Sequence, residues 1–156
     1  MIRISVPGLG EYKIQHLVLD VNGTIALDGK LLPGVSERLG RLNHSVELHL
    51  VTADSHGNQA AIDTALGTTA VRITPGHESD QKGRYVRTLG AANVVAIGNG
   101  ENDVGMLISA AIGIAVLGEE GLASRAYQAA DVISRSIGDA LDLVLHPARL
   151  SATLRR

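Results

Sequence analysis

Hydrophobic and polar residues alternate at the start of the chain. Ile2, Ile4 and Val6 fall on one side and Arg3 and Ser5 on the other, the period of a half-buried strand. Pro7-Gly8-Leu9-Gly10 breaks the pattern before Tyr12-Lys13-Ile14, so two short strands about a glycine turn are predicted. Alternation then gives way to a continuous run, His16-Leu17-Val18-Leu19, which stops abruptly in Asp20-Val21-Asn22-Gly23-Thr24. A short apolar run bounded by a turn signal reads as a strand buried on both faces. Beyond it, Ile25-Ala26-Leu27 and Lys30-Leu31-Leu32 flank Asp28-Gly29. Asp-Gly between apolar runs is a hairpin signal, and it predicts a small flap just beyond Asp20.

After Pro33-Gly34 the period lengthens, and Val35, Leu39 and Leu42 recur at helical spacing. Strand and helix patterns then take turns. A strand over 46–51 closes on Thr52, and Ala60, Ala61, Ala65 and Leu66 mark a helix stopped at Gly67. A strand over 70–73 ends at Pro75-Gly76. The next helix is predicted to begin near Ser79 or Asp80, either of which can cap it, with Lys82 in its first turn and Gly90 at its end. A strand over 94–97 breaks into Gly98-Asn99-Gly100-Glu101-Asn102-Asp103, and Val104, Leu107 and Ile108 follow as a helix. A strand over 112–116, a helix from about 120 to 129 and a short strand at 132–133 come next. Ser136 with Asp139 predicts a capping box for a helix whose apolar face is Ile137, Ala140, Leu141, Val144 and Leu145. Pro147 ends that helix, and the basic tail to Arg156 is expected to lie on the surface.

Strands alternating with helices imply the α/β class, a Rossmann-like doubly wound parallel sheet. One domain over 1–156 is expected, with the N-terminal hairpin and the flap hairpin as additions. Parallel strands all point the same way, so Asp20, Thr52 and Asn99 fall on one edge, where open α/β sheets bind ligands. Lys82, at the start of a crossover helix, can reach that edge.

Composition narrows the function classes. The chain is 45% hydrophobic, with no Phe, no Trp and three Tyr (Tyr12, Tyr85 and Tyr127). The core is therefore aliphatic, and stacking platforms for single-stranded nucleic acid are lacking. A net charge of −2 gives no basic field for DNA or an anionic membrane. The absence of cysteine excludes disulfides and thiolate metal sites. No apolar run is long enough to cross a bilayer and the start lacks a secretory pattern, so a soluble, cytoplasmic protein is expected. The six histidines show no helical pair at metal-ligand spacing. His49 is expected to be a satisfied core histidine, and His16, His44, His56, His77 and His146 to lie at the surface. Asp54, just past Thr52, is expected to serve a turn. Gly98 and Gly100 hint at a dinucleotide loop, but Asp103 stands where its third glycine belongs.

The remaining chemistry gathers in four places. An anion site needs N–H groups, a hydroxyl and a cation, and a Mg²⁺ site needs hard oxygen ligands. Asp20, Thr52, Lys82 and the loop from Asn99 to Asp103 supply both.

This set resembles the haloacid dehalogenase superfamily of aspartyl-phosphate phosphotransferases, from Leu17 to about Leu145. Asp20-Val21-Asn22-Gly23-Thr24 looks like its first motif, Leu50-Val51-Thr52 its second, Lys82 its third and Gly98-Asn99-Gly100-Glu101-Asn102-Asp103 its fourth. The chain is similar as a whole to the soluble P-type ATPase-like phosphatase group. The resemblance implies that Asp20 is the nucleophile, that Thr52 bonds the phosphoryl oxygens and that Lys82 neutralises charge there. It implies Mg²⁺ between Asp20, the Asn22 carbonyl, Asn99 and Asp103. Gly23, Thr24, Ala53 and Asn102 join Thr52 and Lys82 as expected substrate-binding residues, and the substrate class is a small phosphorylated molecule.

Two positions depart from the pattern. The family's phosphatases carry a second Asp where this chain has Asn22, and that group protonates the leaving group and activates water. General acid–base help is worth roughly 10²–10⁴ in rate. P-type ATPases have Thr there and a long-lived phosphoenzyme. Asn99 stands where the family has an Asp on Mg²⁺. A slow phosphohydrolase is therefore expected, and the alternative is a catalytically degenerate phosphate-binding or regulatory module acting through a protein partner. The gaps between motifs leave no room for a cap or nucleotide domain. A homo-oligomer whose neighbouring subunit covers the open site stays an alternative.

Overall fold

The computed structural model describes residues 1–53 and 57–156. Asp54 and His56 lie outside the described residues. The chain begins with an antiparallel hairpin, β1 (Ile2–Val6) and β2 (Gly10–Ile14), with Ile2 opposite Ile14. β3 (His16–Asp20) is the expected buried strand. The flap follows as β4 (Ala26–Leu27) and β5 (Lys30–Leu31). Asp28 and Gly29 both have positive φ, 49° and 75°, as a two-residue hairpin turn of the type I′ kind requires. Then come α1 (Val35–Leu42), β6 (Glu47–Thr52), α2 (Gln59–Leu66), β7 (Val71–Arg72) and α3 (Glu78–Thr88). The second half runs β8 (Val94–Gly98), α4 (Val104–Ser109), β9 (Ile112–Val116), α5 (Ser124–Ala129), β10 (Val132–Ser134), α6 (Ile137–Leu145) and α7 (Pro147–Leu154).

Six strands form one parallel sheet in the order β10-β9-β8-β3-β6-β7. The expected Rossmann-like α/β architecture is present. From β3 the chain first builds outward through β6 and β7, then returns to the other side of β3 with β8. The order therefore reverses between β3 and β8, and a crevice opens at the carboxyl ends of those strands. Strand alternation splits the core in two. Leu17 and Leu19 join Leu39, Leu42, Ile62, Leu141 and Val144 under α1, α2 and α6. Val18 joins Val86, Val104, Met106, Leu107 and Ala126 under α3, α4 and α5. Asp20, in step with Val18, faces the α3 side. No helix of the described residues is long and apolar enough to cross a membrane.

Local departures from expectation have local causes. α3 begins at Glu78, earlier than Ser79 or Asp80, with His77 before it at φ 56°. The Ser79 hydroxyl does not cap its own helix but accepts the Gly105 N–H at 2.8 Å. α5 starts at Ser124, because the chain from Gly118 to Gly121 closes a turn with Gly121 at φ 89°. The Ser136 cap is present, since its hydroxyl oxygen accepts the Asp139 N–H, but the Asp139 carboxylate takes the Ser136 hydroxyl proton rather than completing the box. The tail is not loose: Pro147 ends α6 and opens α7, and Leu150 is fully buried against the β1 hairpin. Proline at the first helical position has no N–H to lose.

Candidate active site

Asp20 ends β3 as a buried carboxylate. Its Oδ1 accepts a hydrogen bond from Lys82 Nζ at 2.5 Å and its Oδ2 one from Thr24 Oγ1 at 3.1 Å. Lys82 Nζ also donates to Asp103 Oδ1 at 2.6 Å. Lys82 and Asp103 are fully buried, so two carboxylates share one ammonium away from water. The three groups together carry one net negative charge. Burial, and then the Asp103 charge, push the Asp20 carboxyl up, while Lys82 and Thr24 pull it back, leaving it at about 6. Burial alone would lower the Lys82 pKa, but Asp20 and Asp103 more than offset it and hold the ammonium protonated.

Lys82 reaches this point because its helix lies unusually close to α4. A Cβ on Gly83 would fall 2.9 Å from the Gly105 carbonyl oxygen, and one on Gly105 would overlap the Ser79 carbonyl. Two missing side chains thus let α3 press against the start of α4, next to Asp103. Gly98 plays a related part. A Cβ there would lie 2.5 Å from Asp103 Cγ, so only glycine lets the Asp103 carboxylate fold back over the loop. Its Oδ2 then accepts the N–H groups of Asn99 and Gly100 at 2.9 and 2.8 Å. Both Asp103 oxygens are engaged, one with Lys82 and one with the loop, which turns this carboxylate toward the ammonium.

Asn99 is held at both ends of its amide. Its Oδ1 accepts from Thr24 Oγ1 at 3.1 Å and its Nδ2 donates to the Gly121 carbonyl at 3.2 Å. The single Thr24 proton serves two acceptors, Asp20 Oδ2 and Asn99 Oδ1. Three hard oxygens therefore crowd one spot with one proton among them, which is the donor chemistry of a Mg²⁺ site. Asn22 is partly exposed at the turn after β3, where its main-chain carbonyl is the remaining expected donor.

The structure joins Asp20, Thr24, Lys82, Asn99 and Asp103 in one hydrogen-bonded network. Thr52 is buried at the end of β6, one position beyond the Val51 that pairs with Asp20, and Ala53 follows it. Gly23 has φ 78°, and a Cβ on it would strike Glu120 Oε2 and Asn99 Nδ2. Asn102 sits apart from the network and lines an open cleft of about 640 Å³ with Glu78, Ser79, Glu101 and Arg125. Sequence reasoning missed Glu120, whose carboxylate lies over the first-motif turn, and the Gly83–Gly105 contact. A glycine inside a helical pattern is the one signal that pointed to the latter.

No family model matches the chain. An uncharacterized protein of Methanocaldococcus jannaschii is 47% identical over 62 residues, 40% of this chain and 67% of the relative. A second uncharacterized protein of that organism is 49% identical over 39 residues, 25% of this chain and 89% of the relative. Among solved structures, the cobalt-bound deoxy-D-mannose-octulosonate 8-phosphate phosphatase of Haemophilus influenzae superposes with a TM-score of 0.71 at 13% identity, over 92% of this chain and 94% of that one. The 3-deoxy-D-manno-octulosonate 8-phosphate phosphatase of Moraxella catarrhalis, in complex with magnesium and phosphate ions, gives 0.64 at 18% identity, over 86% and 87%. A zinc-transporting P-type ATPase gives 0.62 at 25% identity, over 80% of this chain and 20% of the transporter. The chain thus has the fold of the two phosphatases, which is also that of a Legionella pneumophila protein described as a haloacid dehalogenase superfamily hydrolase (TM-score 0.68, 17% identity).

Proposed function

We propose that the protein is a Mg²⁺-dependent phosphohydrolase of the soluble P-type ATPase-like kind, which forms an aspartyl-phosphate on Asp20 and turns over slowly. The observation that carries this is the buried Lys82 ammonium bridging Asp20 and Asp103. A carboxylate so placed, at the mouth of a strand-reversal crevice, is oriented and charge-balanced for attack on phosphorus. Asp20 Oδ attacks the phosphoryl group of a small phosphate ester or acyl phosphate, and the bond from phosphorus to the leaving oxygen breaks. Lys82 holds charge on the Asp20 side, and Thr52 hydrogen-bonds the phosphoryl oxygens. Asp20, the Asn22 carbonyl, Asn99 and Asp103 would hold Mg²⁺, and Asp103 also engages Lys82 and the loop N–H groups. When bound, the ion supplies positive charge against the phosphoryl oxygens.

Water then attacks the aspartyl-phosphate, releasing inorganic phosphate and restoring the Asp20 carboxylate. An amide at 22 cannot take the proton of that water, so this second step is the slow one for substrates with good leaving groups. Steady-state hydrolysis of p-nitrophenyl phosphate with Mg²⁺, by the protein and by Asp20→Ala, is the test. Loss of all turnover in Asp20→Ala is expected, and equal rates would remove the enzymatic function. The amides at 22 and 99 favour a second reading, a phosphate-binding regulatory module. Calorimetric binding of Mg²⁺ and phosphate with no turnover of any phosphorylated metabolite would select it.

A further inference from the structure

At the far end of β3 from Asp20, three side chains converge that the phosphatase chemistry does not use. Register puts His16 opposite Glu47 and Val18 opposite His49. Residues two apart on a strand share a face, so Glu47 and His49 stand together with His16 beside them. His16 Nδ1 lies 3.1 Å from His49 Nε2. The Glu47 carboxylate approaches both, its Oε2 at 3.4 Å from His16 Nδ1 and its Oε1 at 3.9 Å from His49 Nε2. We propose that His16, Glu47 and His49 form a second metal site, for a transition-metal ion of the Zn²⁺ class.

The geometry matches the ion. Zn²⁺ holds imidazole nitrogen at 2.0–2.1 Å in tetrahedral sites, so two ligand atoms sit about 3.3 Å apart. The two nitrogens and the carboxylate oxygen already stand near that spacing, and all three ligand atoms lie within 4.8 Å of one another. In the absence of an ion, two facing ring nitrogens need one to donate a proton to the other. An ion replaces that single bond with a ligand bond from each. The ligand His49 also has a partner behind it. His49 Nδ1 lies 2.8 Å from the Tyr85 hydroxyl, an outer partner that leaves Nε2 to face the ion, as metal-ligating histidines require. Two imidazoles and a carboxylate suit Zn²⁺, Co²⁺, Ni²⁺ or Cu²⁺, whereas Mg²⁺ prefers oxygen alone. His49 is buried and His16 partly so, while Glu47 is 68% exposed, which gives the ion a path in and leaves a fourth position for water. Four strand steps separate His16 from Asp20, about 13 Å, so this site is distinct from the phosphate site and stands whether or not Asp20 turns over phosphate.

Bound metal would tie β3 to β6 and, through Tyr85, to α3. The test is calorimetric titration of the whole protein with ZnCl₂ in millimolar Mg²⁺, which occupies oxygen ligands at the Asp20 end. About one equivalent of Zn²⁺ should bind. His16→Ala should weaken it by at least about tenfold and Glu47→Gln should weaken it too, while Tyr85→Phe should cost roughly tenfold, as loss of the partner that orients a ligating histidine does. Imidazole ¹⁵N resonances of His16 and His49 in the unaltered protein should shift together on addition of Zn²⁺. Titration without Zn²⁺ uptake, a His16→Ala protein that binds as the parent does, or unshifted resonances for both rings would each overturn the proposal. The resonance measurement needs no variant, so the outcome does not depend on how well His16→Ala folds.

Discussion

At the carboxyl end of β3, Asp20 meets Lys82 and Asp103. At the amino end, His16 meets Glu47 and His49. One strand supplies both clusters, and one helix answers both, through Lys82 and, three residues on, Tyr85. The carboxyl end is charged, and its acidic groups are tied together by hydrogen bonds through Lys82 and Thr24. The amino end is half open and built of rings that can be neutral. Oxygen and ammonium suit phosphoryl transfer, whereas converging ring nitrogens suit a softer cation. The contrast shows that strand direction alone does not decide where chemistry gathers. Neighbouring strands build the cluster at the amino end, a strand, a helix and a loop build the one at the carboxyl end, and the reversal of strand order selects the end that opens as a crevice.

The largest expected effect breaks the charged end. Lys82→Ala leaves Asp20 and Asp103 facing each other without a cation. Removing one partner from a buried charge network costs about 3–5 kcal/mol, to be read as a shift of the urea midpoint, and phosphatase turnover should vanish with it. Asn22→Asp should act in the opposite direction on rate. The unaltered protein should show a burst of nitrophenol equal to enzyme concentration before a slow steady rate. The variant should lose the burst and gain roughly 10²-fold in turnover if the acid–base contribution returns. Stopped-flow release of nitrophenol checks both, and a parent without a burst together with a variant without a gain would show that residue 22 does not limit the site.

A smaller effect is expected at the helix contact. Gly83→Ala should destabilise the protein by about 1–3 kcal/mol, the cost of overpacking, and should lower turnover by displacing Lys82. Equal turnover, measured where both proteins are folded, would show that the close approach is not what aligns the ammonium. The smallest effect lies away from both clusters. Arg38 on α1 makes two hydrogen bonds to Asp142 on α6, at 2.9 and 3.1 Å. They hold the Asp142 carboxyl below the usual carboxylate range. A carboxyl lowered in the folded state stabilises above its unfolded pKa, near 4, and that contribution is lost as pH falls through the folded value. Arg38→Met should therefore cost up to about 1 kcal/mol at neutral pH, discounted for the partial exposure of the pair, and almost nothing at pH 2. Thermal melts at the two pH values decide it.

The sheet was legible because its strands are aliphatic runs with no competing period. Leu17-Val18-Leu19 and Ile112 to Val116 admit few other readings. Asp28-Gly29 announced the flap through a backbone geometry that few residue pairs tolerate. Lys82 was legible only by its place among the motifs, since a lone lysine in a first helical turn is ordinarily exposed. α7 was not legible, because Pro147 ends one helix and opens another, and a proline alone does not tell the two roles apart. The start of α5 was misplaced because Glu120 favours a helix while Gly121 forces a turn. The His16–Glu47–His49 cluster is a product of register between strands some thirty residues apart. Nothing local in the chain records it, and His16 accordingly leaves the surface role expected of it.

The contact between Gly83 and Gly105 contains no side chain, so no rotamer can take up slack between α3 and α4. Helices joined that way loosen together or not at all. Their backbone amides should therefore exchange with deuterium as one cooperative unit, with the Lys82 ammonium released from Asp20 and Asp103 in the same opening event.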